Sequence, residues 1–371
     1  MDFEFTDEQL ELRDNARAVL AAACPTSLVR SVFDGTGDAT DLWRTLVGLD
    51  WPALGLPEEH GGLGLGYLEM GIVVEELGRA VAPSPFLATI TQLAAIVREA
   101  GSSLLLEEIA AGTCTGTLAI AEHGVWRPAR VATTARPAKD GWVLDGVKSH
   151  VVDGATASEI AVVAQADAGL GVFVVPGAAV TAEPSAVMDP TLPMATVTLS
   201  GVVVDCDRVL VEPGDPGGTT VVERALQQAT TALSLSTVAT SRAIFEMTLQ
   251  YAKDREQFGR PIGSFQALKH RLADAYLAVE RASSLAYFAA LTIAEDDPRR
   301  AVATAMAKAA AGECQRRLVR DGLQLHGGVG FTWEHDLHFL LKRAKAGDLL
   351  FGTAATHRAH LAVLLGLEAV A

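Results

Sequence analysis

Cysteine is scarce. Cys24, Cys114, Cys206 and Cys314 lie scattered through 371 residues, with no C-x-x-C pair. That excludes a disulfide scaffold and a thiolate metal site, and reduced thiols are the expectation. The nine histidines form no H-E-x-x-H or comparable ligand pair, so no metal is expected. No stretch of about 18 apolar residues runs free of charge, glycine or proline, which argues against a membrane span. The opening residues, Met1-Asp-Phe-Glu-Phe-Thr-Asp-Glu, are acidic and lack the apolar core of a signal peptide, so a cytoplasmic protein is expected. Basic residues number 30 against 45 acidic ones, a formal net charge of −15. A nucleic-acid surface needs clustered Lys and Arg and is not expected here. A polyanionic ligand would need a local basic patch set against that global field. No G-x-G-x-x-G follows a strand-like run, so a Rossmann nucleotide site is not supported. Gly169-Leu-Gly171 has two glycines and reads as a hairpin turn. There is no internal repeat and no low-complexity linker.

The composition, 49% hydrophobic and 20% charged, is that of a globular chain long enough for a substantial core. Residues 1–115 read as an N-terminal helical domain. Thr6-Asp-Glu-Gln9 is a capping box, and Leu10, Leu12, Ala16, Val19 and Leu20 follow near helical spacing. Pro25 ends that helix. Gly61–Gly66 is a loop, Leu68–Val81 resumes the helical period, and another helix lies near Ile90–Ala100. Residues 116–218 read as a middle β domain with hairpin connections. Its short β-branched runs include Ile160–Val163, Val172–Val175 and Val202–Val204, and Asp140-Gly141 marks a turn. Residues 219–371 return to helix: Thr220–Arg255, Ser264–Glu295, Pro298–Leu325 and one or two more after Asp336. The fold class is α+β, mostly α.

One corner carries chemistry. Tyr251-Ala-Lys-Asp-Arg255-Glu-Gln257-Phe258-Gly259-Arg-Pro-Ile-Gly263-Ser264-Phe-Gln266 reads as a helix end, a Gly/Pro turn and a new helix with Ser264 as its N-cap. A guanidinium beside open helix N–H groups suits a phosphate or diphosphate. An ordinary helix hairpin with a solvated arginine explains the same local pattern equally well.

The stretch resembles the acyl-CoA dehydrogenase family, flavoproteins that desaturate acyl-CoA thioesters, in its R-x-Q-F-G-x-x-I…F-Q pattern. Two further segments resemble the same family: Gln324-Leu-His326-Gly327-Gly328-Val-Gly330-Phe331-Thr-Trp333-Glu334, and Leu56-Pro57-Glu58-Glu59-His-Gly61-Gly62-Leu-Gly64 followed by Glu75-Glu76-Leu-Gly78. The resemblance implies an N-terminal helical domain, a middle β domain and a C-terminal helical bundle. It also implies FAD as cofactor, held by two chains, with Arg255, Phe258, Gln266, Gln324, Gly327 and Gly328 serving a neighbour's flavin. Local physics reads Gly327-Gly328 as a helix C-cap turn, which is compatible with that role.

Other family positions depart from the pattern. Where the family has T-E-P-x-x-G-S-D, this chain has Ala121-Glu122-His123-Gly124-Val-Trp126-Arg127-Pro128, and only Glu122 fits. Where the family has G-x-K-x-W-I-T-N, it has Gly146-Val-Lys148-Ser149-His150-Val151-Val152-Asp153. Val152 replaces a hydroxyl that would bond the flavin ring. The two positions at which the family places its catalytic Glu are Phe351 and Ala229, so neither offers a carboxylate. Asp348, one helical turn before Phe351, is the nearest acid and the candidate for a relocated base, or a solvated partner of Lys345.

Groups lent to a neighbour are kept and those used in place are lost. The resemblance therefore implies a subunit that binds acyl-CoA in a homo- or hetero-oligomer, a tetramer, with a homologous dehydrogenase chain supplying the Glu and an electron-transfer flavoprotein as acceptor. A self-sufficient dehydrogenase using Asp348, a flavin oxidase or monooxygenase of the same fold, and a non-catalytic helical scaffold are the alternatives.

Overall fold

The structure is a computed structural model that describes residues 4–367. In chain order the helices are α1 (Asp7–Ala23), α2 (Thr26–Phe33), α3 (Thr40–Val47), α4 (Tyr67–Arg79), α5 (Phe86–Ala88), α6 (Ala95–Glu99) and α7 (Leu106–Ala110). Strands follow: β1 (Gly116–Ala119), β2 (Thr134–Ala138), β3 (Gly141–Val152), β4 (Glu159–Ala166), β5 (Gly169–Pro176), β6 (Thr181–Pro184), β7 (Met194–Asp205) and β8 (Val209–Val211). Then come α8 (Gly218–Asp254), the two-residue strands β9 (Glu256–Gln257) and β10 (Arg260–Pro261), α9 (Gln266–Ala294), α10 (Arg300–His326), α11 (Leu337–Leu349) and α12 (Ala354–Leu364). The chain belongs to the α+β, mostly helical class.

Packing divides the chain into two compact units. One holds the segment ending at Asp38, Tyr67–Ala82 and everything from Thr230; the other holds Ala39–Gly66 and Pro83–Ala229. The first helices are therefore shared out. Within the first unit α1, α2 and α4 join the C-terminal helices, whereas α3 and α5–α7 belong to the unit of the sheet. The linear division 1–115, 116–218 and 219–371 describes chain order, and we retain it as a proposal on that footing.

In the helical unit, Thr6 caps α1: its hydroxyl accepts from the Gln9 N–H at 3.3 Å and the Gln9 side chain returns to the Thr6 N–H at 3.1 Å. α8 is the axis. Beside Leu233, Leu235, Val238 and Ile244 it buries the small residues Thr230, Thr231, Ala232, Ser234, Ser236, Thr237, Thr240 and Ser241. Buried hydroxyls need partners, and these return to carbonyls one turn back: Ser234 to Thr230, Thr237 to Leu233, Ser241 to Thr237. Small side chains let neighbouring helices approach closely. Gly78 of α4 lies against the Ser236 backbone, Gly347 of α11 against Thr237, and Gly322 of α10 against Ile244. α9 is long and apolar enough to cross a membrane by length and composition, with a mean hydropathy of 1.2 in its richest window. It buries Ala275, Val279, Ala282, Ala286 and Ala290 in the helical unit.

In the other unit the sheet order is β6-β7-β3-β2-β4-β5-β8, with β1 beside β4. Hairpins were expected throughout, but β1 runs parallel to β4, from Gly116↔Glu159 to Ala119↔Val162. Gly169-Leu-Gly171 is not the turn itself. It opens β5, paired with Ala166–Ala164 of β4, and the chain reverses at Asp167-Ala168. Leu144, Ile160, Val162, Phe173, Val197, Leu199 and Val204 form the core of this sheet. Between α5 and α6 the helix widens to a π turn, Thr89–Ala94. Thr89 Oγ1 there accepts from the Gly116 N–H at 3.1 Å, tying the helix to β1.

Gly78→Ala tests the close helix approach. The added Cβ would lie 2.5 Å from the Ser236 carbonyl oxygen, and both helices are held by their own hydrogen bonds. Overpacking of this kind costs about 1–3 kcal/mol, so the thermal unfolding midpoint is expected to fall by several degrees relative to wild type.

Candidate functional site

The corner read from the sequence forms where α8 and α10 end and α9 begins. Ala252, Leu272 and Leu325 are buried against one another, with Phe245, Leu249, Ile262 and Leu268 packed on them. This apolar plug places two segments side by side, the β9–β10 hairpin after α8 and the turn after α10. The hairpin tip is Phe258-Gly259, both left-handed at φ +54° and +75°, the pairing that a two-residue primed turn requires. Phe258 stands 91% exposed at that tip. An aromatic residue at positive φ with its ring in solvent is costly twice over and points to an outside partner.

Arg255 is exposed and forms no ion pair with any described residue, in a chain with 45 acidic residues. Arg260 instead stacks over the Phe265 ring at 4.2 Å. Ser264 is not the N-cap of α9. The chain makes a 3₁₀ turn at Ile262–Ser264, Phe265 takes the cap position, and the Ser264 hydroxyl has no partner. Gln266 is exposed, 3.0 Å from His270 one turn on. Across the corner, Gln324 is exposed on the last turn of α10. Gly327 caps that helix at φ +59°, ψ −139°, a conformation open essentially to glycine alone. Gly328 has ordinary backbone, and a Cβ there would meet nothing within 4 Å. Nothing within the chain asks for glycine at that position, whereas close approach by an outside ligand would.

The segment ending in Phe351 is built around buried charge. Asp348 is 1% exposed. Its Oδ2 lies 3.1 Å from Lys345 Nζ, and its Oδ1 accepts from the Ala354 N–H at 3.3 Å, at the start of α12. Lys308 of α10 is fully buried and donates to the Gly347 and Asp348 carbonyls at 2.5 and 3.0 Å, closing the end of α11. Burial pushes the Lys308 ammonium down to about 7, with the Asp348 charge opposing the shift. Phe351 is buried and left-handed at φ +58°, and its carbonyl is 2.9 Å from His357 Nε2. Ala229 is buried on α8. Lys308 was not singled out in the sequence. The available signal was a lone lysine inside the alanine run 303–311.

In the sheet unit, Glu122 and Lys148 meet. The Lys148 Nζ donates to Glu122 Oε1 at 2.6 Å, and Glu122 also accepts from the Ala132 and Thr133 N–H groups at 2.7 and 2.9 Å. Burial alone would raise the Glu122 carboxyl, but these donors hold it well below the usual range, while burial lowers the Lys148 ammonium. The pair anchors the loop 123–131. β3 is bulged between Lys148 and Val151, which leaves His150 at φ +52° with its ring 5.6 Å from that of Trp126. Val152 is buried.

The comparisons agree with this architecture. The family model "Acyl-CoA dehydrogenase, N-terminal domain" matches residues 6–117 and "Acyl-CoA dehydrogenase, C-terminal domain" matches residues 216–365. The chain belongs to the acyl-CoA dehydrogenase family. It is 32% identical over 343 residues, 91% of each chain, to the acyl-CoA dehydrogenase IpdE2 of Mycobacterium tuberculosis. Among solved structures it resembles a chain of the ChsE4-ChsE5 complex of Mycobacterium tuberculosis, with TM-score 0.90, 28% identity, and 99% and 100% of the two chains covered. It also resembles a chain of a variant of the Tcur3481-Tcur3483 steroid ACAD, with TM-score 0.88, 30% identity, and 98% and 99% covered.

Lys148→Met tests the buried pair. It leaves the Glu122 carboxylate desolvated without its counter-charge, so a loss of about 3–5 kcal/mol is expected in chemical denaturation. Lys148→Met combined with Glu122→Gln is expected to recover part of that loss.

Proposed function

We propose that this chain is one subunit of a heteromeric, FAD-dependent acyl-CoA dehydrogenase. It lends its Arg255–Gln324 corner to flavin held mainly by a homologous neighbour and takes its catalytic carboxylate from that neighbour. One observation carries the reading: Arg255 is exposed with no ion pair among the described residues, while the positions at which the family would place its base and flavin contacts hold Phe351, Ala229, His150 and Val152. The two-chain ChsE4-ChsE5 and Tcur3481-Tcur3483 complexes support an assembly of this kind.

The corner fits the diphosphate and adenosine of FAD. Arg255 supplies a forked, permanent charge, Gln324 an amide, and Gly328 open backbone for close approach. Phe258 and Gln266 extend the same surface. When bound, FAD accepts the β-hydride of the acyl thioester as a carboxylate removes the α-proton. This chain's residues bind and orient; no carboxylate stands at the family positions. Asp348 is a brace in this reading, since Lys345 and the Ala354 N–H engage its two oxygens and it is buried. A tetramer of two chain types in the cytoplasm, delivering electrons to an electron-transfer flavoprotein, belongs to the same proposal. So does a fatty or steroid acyl group on the CoA.

Two measurements test it. Arg255→Ala in the assembled oligomer is expected to weaken FAD binding about tenfold or more, the loss of a charge-assisted bond. The purified homo-oligomer, assayed with a panel of acyl-CoAs and an artificial acceptor, is expected to turn over at least 10²-fold more slowly than the heteromer. The heteromer is expected to hold about one FAD per two chains. Robust homo-oligomer turnover that vanishes in Asp348→Ala would overturn the subunit reading in favour of a relocated base.

A further inference from the structure

The two halves of the corner are joined by one ring contact. Tyr251, one turn before Arg255 on α8, stacks on His326, between Gln324 and Gly327 on α10, with centroids 4.4 Å apart and planes inclined by 25°. The Tyr251 hydroxyl also lies 3.5 Å from the His326 carbonyl oxygen. His326 is 3% exposed, and its Nδ1 sits 2.8 Å from the Gly322 carbonyl oxygen. A carbonyl only accepts, so Nδ1 carries the proton and Nε2 is left as a bare lone pair. That Nε2 is buried and has no hydrogen-bond partner among the described residues.

We propose that the Tyr251–His326 stack is the strut that sets the Arg255 arm against the Gln324–Gly328 arm, and that it holds only while the His326 imidazole is neutral. The inference rests on the reading of this corner as a flavin-binding surface. It adds two positioning residues and a proton dependence to that surface.

Charging His326 would add an N–H at Nε2, where no acceptor is in reach. Three described groups face the ring, and of these the His335 imidazole opposes a charge while the Gly322 carbonyl favours it. From α8 comes the Tyr251 phenol, from α10 itself the Gly322 carbonyl. From the segment before α11 comes the His335 imidazole, edge-on at 5.0 Å, with its Nδ1 accepting from the Leu337 N–H at 3.1 Å. No described carboxylate forms an ion pair with His326. Burial first and His335 second lower its pKa, against the Gly322 bond that raises it. The sign follows. A histidine whose folded pKa is depressed costs nothing while both states are neutral, above about 6.5. As pH falls below that value the open form takes up a proton that the closed strut refuses, and the closed form is lost progressively. Gly330 completes the seat: a Cβ there would lie 3.0 Å from the His326 Cβ.

The test is FAD affinity of the full oligomer, followed by flavin fluorescence between pH 7.5 and 5.5, with the His326 ring titrated by NMR in parallel. Wild type is expected to lose at least fivefold in affinity over that range, with an imidazole pKa below 6.5. Tyr251→Phe keeps the stack and is expected to behave like wild type. Tyr251→Ala is expected to weaken FAD binding at least fivefold at pH 7.5 and to raise the His326 pKa. His326→Asn keeps a donor for Gly322 and is expected to flatten the pH profile. His335→Asn separates the second imidazole, and its profile is expected to keep a downward slope. Arg255→Ala is the control for the surface itself. If it leaves FAD affinity unchanged, the flavin reading of the corner fails. If Arg255→Ala weakens binding while Tyr251→Ala and His326→Asn match wild type at every pH, the strut alone is refuted.

Discussion

The helical unit depends on how closely other helices can approach α8. A 37-residue helix faced with Leu or Phe would hold its neighbours at ordinary interaxial distance. This one intersperses Ala, Ser and Thr with Leu233, Leu235, Val238 and Ile244, and three other helices meet it with a glycine each. Most of the hydroxyls are satisfied on their own helix, while Thr231 bonds Thr304 of α10 and Thr240 also bonds the Gly78 carbonyl of α4. Close approach then fixes where α10 and α11 end. Those ends carry Gln324–Gly328 and Phe351, the segments to which we assign a role in the proposed function.

Polar groups are buried in this protein in two different ways. Glu122–Lys148 and Lys308 with Asp348 are interior charges whose partners are all supplied by the same chain. They define local geometry. The corner is the opposite. Arg255 and Gln324 are exposed, and the neighbouring glycines leave their backbone open. On the proposed reading, a chain that braces Asp348 internally and leaves Arg255 without an ion pair among the described residues is suited to complete something outside itself.

Much of this was readable in the residues. The switch from helical period to β-branched runs near Thr115, and back near Thr219, located the strands between Gly116 and Val211. The Thr6–Gln9 capping box formed as read, because both partners are local. Non-local features were not legible. The parallel pairing of β1 with β4 depends on a distant partner, and the π turn at Thr89–Ala94 depends on β1. Ser264 lost its cap role to a 3₁₀ turn that Gly263 permits but does not announce. The Arg255–Gln266 and Gln324–Gly328 segments were each legible because each is short and local, whereas their adjacency depends on packing. Lys308, Tyr251 and His326 were not given roles, since each acts through a residue at least 39 positions away.

The hairpin tip at Phe258 has a consequence for the life of the chain before assembly. Its backbone is held in an unfavourable region, and its ring offers a large apolar face to solvent. A subunit left over from assembly would carry that adhesive point permanently, available to chaperones, proteases or other copies of itself. If the proposed assembly covers this tip, two residues of turn impose a demand on gene expression: the chain would have to be made in step with whatever covers its Phe258.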